Sequence, residues 1–241
     1  MRRRQTRQYN GLTGKRLRAT DTLIQLCPLR FDTMMLPTHA LGGVALATSV
    51  AFVAPELTGI ALVAGLLGGI VPDLDLYAGH RKSLHYPVYY SALAPPALIL
   101  AWLVPTGPTV FAAFFLVGAA VHSVADVFGG GLELRPWEAT SDRAVYDHYR
   151  SQWISPRRWI RYDGSPGDLL LSVALAVPLM VALDGLLGQV VIATLALAIV
   201  YAAVRRLLPT LTVAIVDGVL APRLPDHLLT YVPDRYREPD C

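Results

Sequence analysis

The sequence predicts an all-α fold: a polytopic integral membrane bundle of about six transmembrane helices, with an interfacial helix near the carboxyl end. Three observations predict it. Of 241 residues, 54% are hydrophobic and only 16% charged, with a mean hydropathy of +0.43, whereas soluble domains carry about 25% charged residues. The apolar residues fall in blocks of 15 to 20, the length that a bilayer imposes at ~1.5 Å of rise per residue. Finally, all 21 Lys and Arg residues fall into segments that six crossings would place on one side.

In chain order, residues 1–34 are a basic tail with Arg2, Arg3, Arg4, Arg7, Lys15, Arg16, Arg18 and Arg30. No apolar region and small-residue cleavage site follow Arg2–Arg4, so a secretory signal is not expected. The tail reads as disordered, or as the product of a start assigned upstream of Met34 or Met35. Residues 35–137 form a four-helix half that bears the motifs, with apolar segments Thr38–Ala54, Leu57–Val71, Val88–Val104 and Thr109–Phe128. The first and second are short for a crossing, which calls for extension or local thinning of the bilayer. Pro95 and Pro96 are expected to kink the third. Gly42, Gly43, Gly65, Gly68 and Gly69 offer small faces for close helix packing. Residues 138–167 are a polar loop. Residues 168–204 supply two more apolar segments, Leu169–Leu183 (also short) and Leu187–Val204. Residues 205–241 hold the apolar stretch Leu207–Leu220, read as interfacial or re-entrant, and the tail.

The side shared by both termini, the 72–87 connection and the 129–167 loop holds every basic residue. The positive-inside rule puts that side in the cytoplasm and makes the chain a multi-pass protein of the cell or inner membrane. Cys27 and Cys241 stand at opposite ends of the chain and supply neither a disulfide framework nor a CxxC metal site.

The stretch GGIVPDLDLYAGHRKSLHYP, residues 68–87, concentrates chemistry where the second apolar segment ends. It carries Asp73, Asp75, His80, Arg81, Lys82 and His85. His39 begins the first segment, and His122 and Asp126, four apart, share one face near the end of the fourth. Four helix ends thus deliver four histidines and three carboxylates to one membrane depth. Ionisable groups in spanning helices are costly and usually functional. Imidazole with carboxylate suits zinc, manganese or iron, and an ion so held activates water and polarises carbonyl or phosphoryl oxygens. Taken singly, each residue has a plainer reading. Asp73 and Asp75 can be caps, His122 and Asp126 a structural pair, His39 an interfacial residue, Arg81 and Lys82 topogenic charges. The convergence favours a metal site.

These residues carry a resemblance. THALGG (Thr38–Gly43), VPDLD (Val71–Asp75), GHRKSLH (Gly79–His85) and HSVADVFGGG (His122–Gly131) resemble, in order, the motifs of the membrane-bound metal-dependent hydrolase family. That family includes the LexA-binding, inner-membrane-associated hydrolases. The likeness covers about residues 36–137, and family members begin near the T-H motif, in keeping with a start at Met34 or Met35. Two departures stand out. Leu84 and Tyr86 occupy positions where the family has Thr and Ser, and the turn after Asp126 lacks Thr-Pro. The missing hydroxyls beside His85 would weaken the support of its ring.

The resemblance implies His39, Asp73, Asp75, His85, His122 and Asp126 as metal ligands, zinc being the first expectation. His80 and Arg81 are then the catalytic candidates, for acid–base work and for holding an anionic group. The aromatic residues of the 129–167 loop (Trp137, Tyr146, Tyr149, Trp153, Trp159 and Tyr162) read as an interfacial belt in preference to a lid.

The function expected is a cytoplasm-facing, metal-dependent hydrolase acting on an unidentified small-molecule, phosphoester or lipid-like substrate, with membrane lipid as its surroundings. The alternative is a non-catalytic membrane adaptor with a protein partner. A transporter fits less well, because the outer halves of the helices carry almost nothing polar to form a path. Nucleic-acid binding is disfavoured, since topology and anionic lipid account for the arginines.

Overall fold

The computed structural model describes residues 34–77, 79–220, 222, 223 and 225; the basic tail 1–33 and most of the carboxyl tail lie outside the described residues. The described chain is predominantly helical. Helix α1 is Leu36–Ala47, continued by a 3-10 stretch at Thr48–Phe52. Helix α2 is Thr58–Ile70, flanked by 3-10 turns at Pro55–Leu57 and Val71–Tyr77. Then come α3 (Pro87–Leu103), α4 (Gly107–Ala125), α5 (Pro166–Ala182), α6 (Gly185–Val204) and α7 (Leu208–Ile215). Proline stands in the first turn of α1, α3, α4 and α5, where its missing N–H has no helical partner to lose. Thr106 and Thr109 form a reciprocal capping box on α4, and the Ser165 side chain accepts from Asp168 N at the start of α5.

Among the described residues, three helices are long and apolar enough to cross a membrane: Pro55–Leu76, Gly107–Phe128 and Gly185–Val204. This corrects the expectation of about six. Leu36–Phe52, Pro87–Leu103 and Pro166–Ala182 are apolar but shorter. The second segment, expected to be short, gains length because the 3-10 turns at both ends continue its helix. The third falls short because α3 is bounded by Pro87 and by a non-helical residue at Val104. Helix α7, at 8 residues, ends in a π-helical turn at Val216–Leu220, too short to cross at ~1.5 Å per residue.

Helices α1, α2 and α4 pack on one another, α3 flanks α4, and α5 and α6 lie against α1. Leu41, Val44, Leu62, Val110, Leu179 and Val191 form the apolar core between them. Glycine sets the spacing. A Cβ on Gly43 would stand 2.0 Å from the Gly65 carbonyl oxygen, and one on Gly65 would stand 2.3 Å from that of Gly43. Gly42 faces open space, so the small face runs through Gly43, Gly65, Gly68 and Gly69, with Gly118 of α4 packed against Gly65 and Gly68. Trp102, Leu103, Val181 and Leu197 are exposed outside the bundle, an apolar surface of the kind that marks a membrane or partner contact.

The polar loop contains a small antiparallel ladder, β1 (Val145–Asp147) with β2 (Gln152–Ile154), pairing Tyr146 with Trp153. Its turn is organised by Asp147, whose carboxylate accepts from the amides of Tyr149 and Arg150.

Candidate metal centre

Asp73, His85, His122 and Asp126 each present a ligand atom, and the four atoms lie within 4.8 Å of one another. The site is built at one end of the bundle. The 3-10 turn after α2 supplies Asp73, the connection to α3 supplies His85, the last turn of α4 supplies His122, and the 3-10 turn Asp126–Phe128 that follows supplies Asp126. Helical spacing of four puts the last two on one face.

Each ring is oriented from behind. His122 places Nδ1 2.7 Å from the Gly69 carbonyl, which can only accept, so the ring N–H is at Nδ1 and Nε2 presents its lone pair. That Nε2 has no hydrogen-bond partner among the described residues. It lies 3.4 Å from Asp73 Oδ1 and 3.6 Å from Asp126 Oδ2. His85 Nδ1 is 3.0 Å from Asp75 Oδ2, while Nε2 lies 3.1 Å from Asp126 Oδ2 and 3.6 Å from Asp73 Oδ1. Burial opposes charge on His85, but the carboxylates of Asp126, Asp73 and Asp75 overcome it and hold the imidazole well above the ordinary histidine range. The position therefore attracts positive charge. Four histidine-to-carboxylate separations of 3.1–3.6 Å are close to the edge of a tetrahedron, about 3.4 Å for donors 2.0–2.1 Å from a central ion. The donor set fits a divalent cation.

The other expected residues surround this group. Asp75 spends its carboxylate on His80 Nδ1 (3.0 Å), His85 Nδ1 and the amides of Arg81 and Leu84. It orients His85 and does not join the four. The Leu84 amide thus helps secure the carboxylate that holds His85, without a threonine hydroxyl at that position. His80 is buried, hydrogen-bonded to Asp75 and edge-on to the His85 ring, centres 5.8 Å apart. His39 stacks on His122, ring centres 3.9 Å apart, and its Nε2 lies 3.0 Å from Asp126 Oδ1.

Arg81 is 0% exposed and has a left-handed backbone, φ 59°, a strained setting for a non-glycine residue. Tertiary bonds hold it there. Its Nη1 donates to the carbonyls of Gly130 and Ala144, and its own carbonyl accepts from Tyr146 N. Its Nε lies 3.9 Å from Asp126 Oδ2, and neither Nε nor Nη2 has a hydrogen-bond partner among the described residues. The polar loop is therefore docked against the site segment. The contact between His148 Nε2 and the Lys82 carbonyl at 2.6 Å, with Lys82 over the Tyr146 ring, extends that docking.

Two nodes went unrecognised in the sequence. Asp168 of α5 accepts from Met35 N, Thr38 Oγ1 and Gly164 N, locking the start of α1, and so His39, to the two-helix half. Asp163 accepts from Arg205 Nε at 2.8 Å and from the Tyr201 hydroxyl. Burial, only partly offset by Arg205 and Tyr201, pushes its carboxyl up to about 7. An Asp three residues after a glycine-flanked serine reads as a helix start, and nothing in that pattern names Met35 or Thr38 as its partners.

No protein-family model, curated protein or solved structure matches the chain.

Proposed function

We propose that the protein is a multi-pass enzyme of the cell membrane, a metal-dependent hydrolase whose centre is formed by Asp73, His85, His122 and Asp126. We also propose that it belongs to the membrane-bound metal-dependent hydrolases that its motifs resemble. The observation that carries the reading is His122: a buried imidazole fixed through Nδ1, with its Nε2 lone pair turned toward two carboxylates and no proton donor to receive. Zinc suits two imidazoles and two carboxylates. An ion there supplies Lewis acidity and lowers the pKa of a bound water towards ~7. Around it, Asp75 holds His85 and His80, His39 holds Asp126, and the free Nε and Nη2 of Arg81 offer donors to an anionic oxygen. Arg81, Lys82 and the arginines of the polar loop support a cytoplasmic position for the site.

Elemental analysis of detergent-purified protein tests the centre. Stoichiometric zinc, manganese or iron that is lost in His122→Ala and Asp73→Ala is expected; absence of metal from reloaded wild type would sink the reading. One observation favours a second reading, a structural centre in a membrane adaptor. The side chains of His85, His122 and Asp126 are fully buried and only Asp73, 14% exposed, meets solvent, as in closed structural sites. Bound metal with no turnover of phosphoesters, amides or lipids would select it.

A further inference from the structure

At the end of the bundle that carries the candidate centre, a 630 Å³ cavity lies between α3 and α4, with Val88, Ser91, Val124, Phe128, Arg157 and Trp159 in its walls. At ~100° per residue, Val124 points away from the face of α4 that holds His122, and none of Asp73, His85, His122 and Asp126 lines the cavity. The groove is thus separate from the metal centre. Its walls are apolar but for Ser91 and Arg157. Arg157 is exposed, and its guanidinium has no hydrogen-bond or ion-pair partner among the described residues. Trp159 is 76% exposed with its ring 4.5 Å from that of Phe128, the last residue of a helix able to cross a membrane. A 370 Å³ cavity walled by Val50, Trp102 and Phe114, near the other ends of the helices, has no charged residue. The asymmetry matches a lipid: chain along the helices, headgroup at the basic end.

We propose that this groove binds an anionic phospholipid, with an acyl chain along α3 and α4 and its phosphate on Arg157. The volume falls in the range of ligand pockets. Basic grooves between spanning helices recognise lipid headgroups, and the planar guanidinium suits phosphate. A free phosphate would leave the apolar walls unfilled, and a peptide would set unpaired backbone groups against them. The groove is also coupled to the end of α4. The amides of Arg157, Arg158 and Ile160 donate to the carbonyls of Val127, Gly129 and Phe128, the residues directly after Asp126. A lipid that orders this segment steadies the helix end on which Asp126 sits.

The test uses the full chain in nanodiscs of equal phosphatidylglycerol and phosphatidylcholine, with retained lipid read by native mass spectrometry after release. Wild type is expected to keep one phosphatidylglycerol, preferred about fivefold over phosphatidylcholine, the contribution of one basic residue near a surface. Arg157→Gln removes the preference and Arg157→Lys keeps most of it. Ser91→Trp, which fills the groove from α3, lowers retention of both lipids; unchanged helical circular dichroism shows that each variant is folded. Equal retention of the two lipids by wild type, a preference that survives Arg157→Gln, or retention indifferent to Ser91→Trp would overturn the proposal.

Discussion

Gly69 holds His122 from one side and admits His39 from the other. Its carbonyl lies 2.7 Å from His122 Nδ1, and a Cβ at Gly69 would stand 2.4 Å from the His39 carbonyl oxygen. The absent side chain lets α1 approach α2 closely enough for the His39 ring to stack on that of His122. One glycine therefore sets both the tautomer of a candidate ligand and the position of the residue that bonds Asp126.

Gly69→Ala is expected to force α1 from α2. Inserting a methyl into a packed helix contact costs about 1–3 kcal/mol, and loss of the support behind a ligand typically lowers metal affinity 10–100-fold. Thermal midpoint and zinc affinity, measured together, should both fall. Gly42→Ala is the control, since nothing lies within 4 Å of its added methyl.

The roles of Asp75 and His122 separate in metal titrations. His122→Ala removes a donor and should abolish stoichiometric binding. Asp75→Asn leaves all four donors in place but withdraws a carboxylate that orients His85, so binding should persist with about 10–100-fold lower affinity. Equal loss in the two variants would make Asp75 a ligand.

Much of this site was legible because its residues sit at helix ends. Apolar runs ending at Ala54, Val71, Val104 and Phe128 showed where each helix turned, and alternate crossings then brought His39, Asp73, His85, His122 and Asp126 to one end. The division of labour among them was not legible. Whether a carboxylate faces a metal or a backbone amide depends on side-chain direction, and Asp73 and Asp75 look alike in sequence. The docked loop was also hidden, because Arg81 Nη1 binds the carbonyls of Gly130 and Ala144 and a backbone carbonyl carries no residue identity. The length of the second helix was hidden for a related reason: 3-10 turns at both of its ends continue it, whereas the shortness of the first and fifth was legible.

Arg81→Ala is expected to release the loop from the site segment. Two buried bonds from a charged donor are worth about 1.5–3 kcal/mol each, so limited proteolysis between residues 139 and 154 should speed up while the helical signal stays. Arg81→Lys, which can still bond one carbonyl, should fall between alanine and wild type. Unchanged cleavage in both variants would show that Tyr146 N and His148 suffice to dock the loop.

Asp163 supplies a pH test away from the metal centre. Its carboxyl is raised to about 7 in the folded chain from an ordinary value of 3.8, so the folded state binds the proton more tightly than the unfolded one. Stability from this group is then fully present below about pH 3.8 and is lost as pH rises through about 7, with a steepest slope of ~1.4 kcal/mol per pH unit for one proton. Burial drives the shift, and Arg205 and Tyr201 oppose it without cancelling it. Asp163→Asn keeps an oxygen to accept from both donors and carries no charge. The variant should lose the fall in thermal midpoint between pH 5 and 8 that wild type shows in detergent. The metal-free form of both proteins is the one to compare, so that His85 and its carboxylates contribute equally. A wild-type midpoint that rises over this interval, and flattens in the variant, would mean that the Arg205 pair keeps Asp163 ionised throughout.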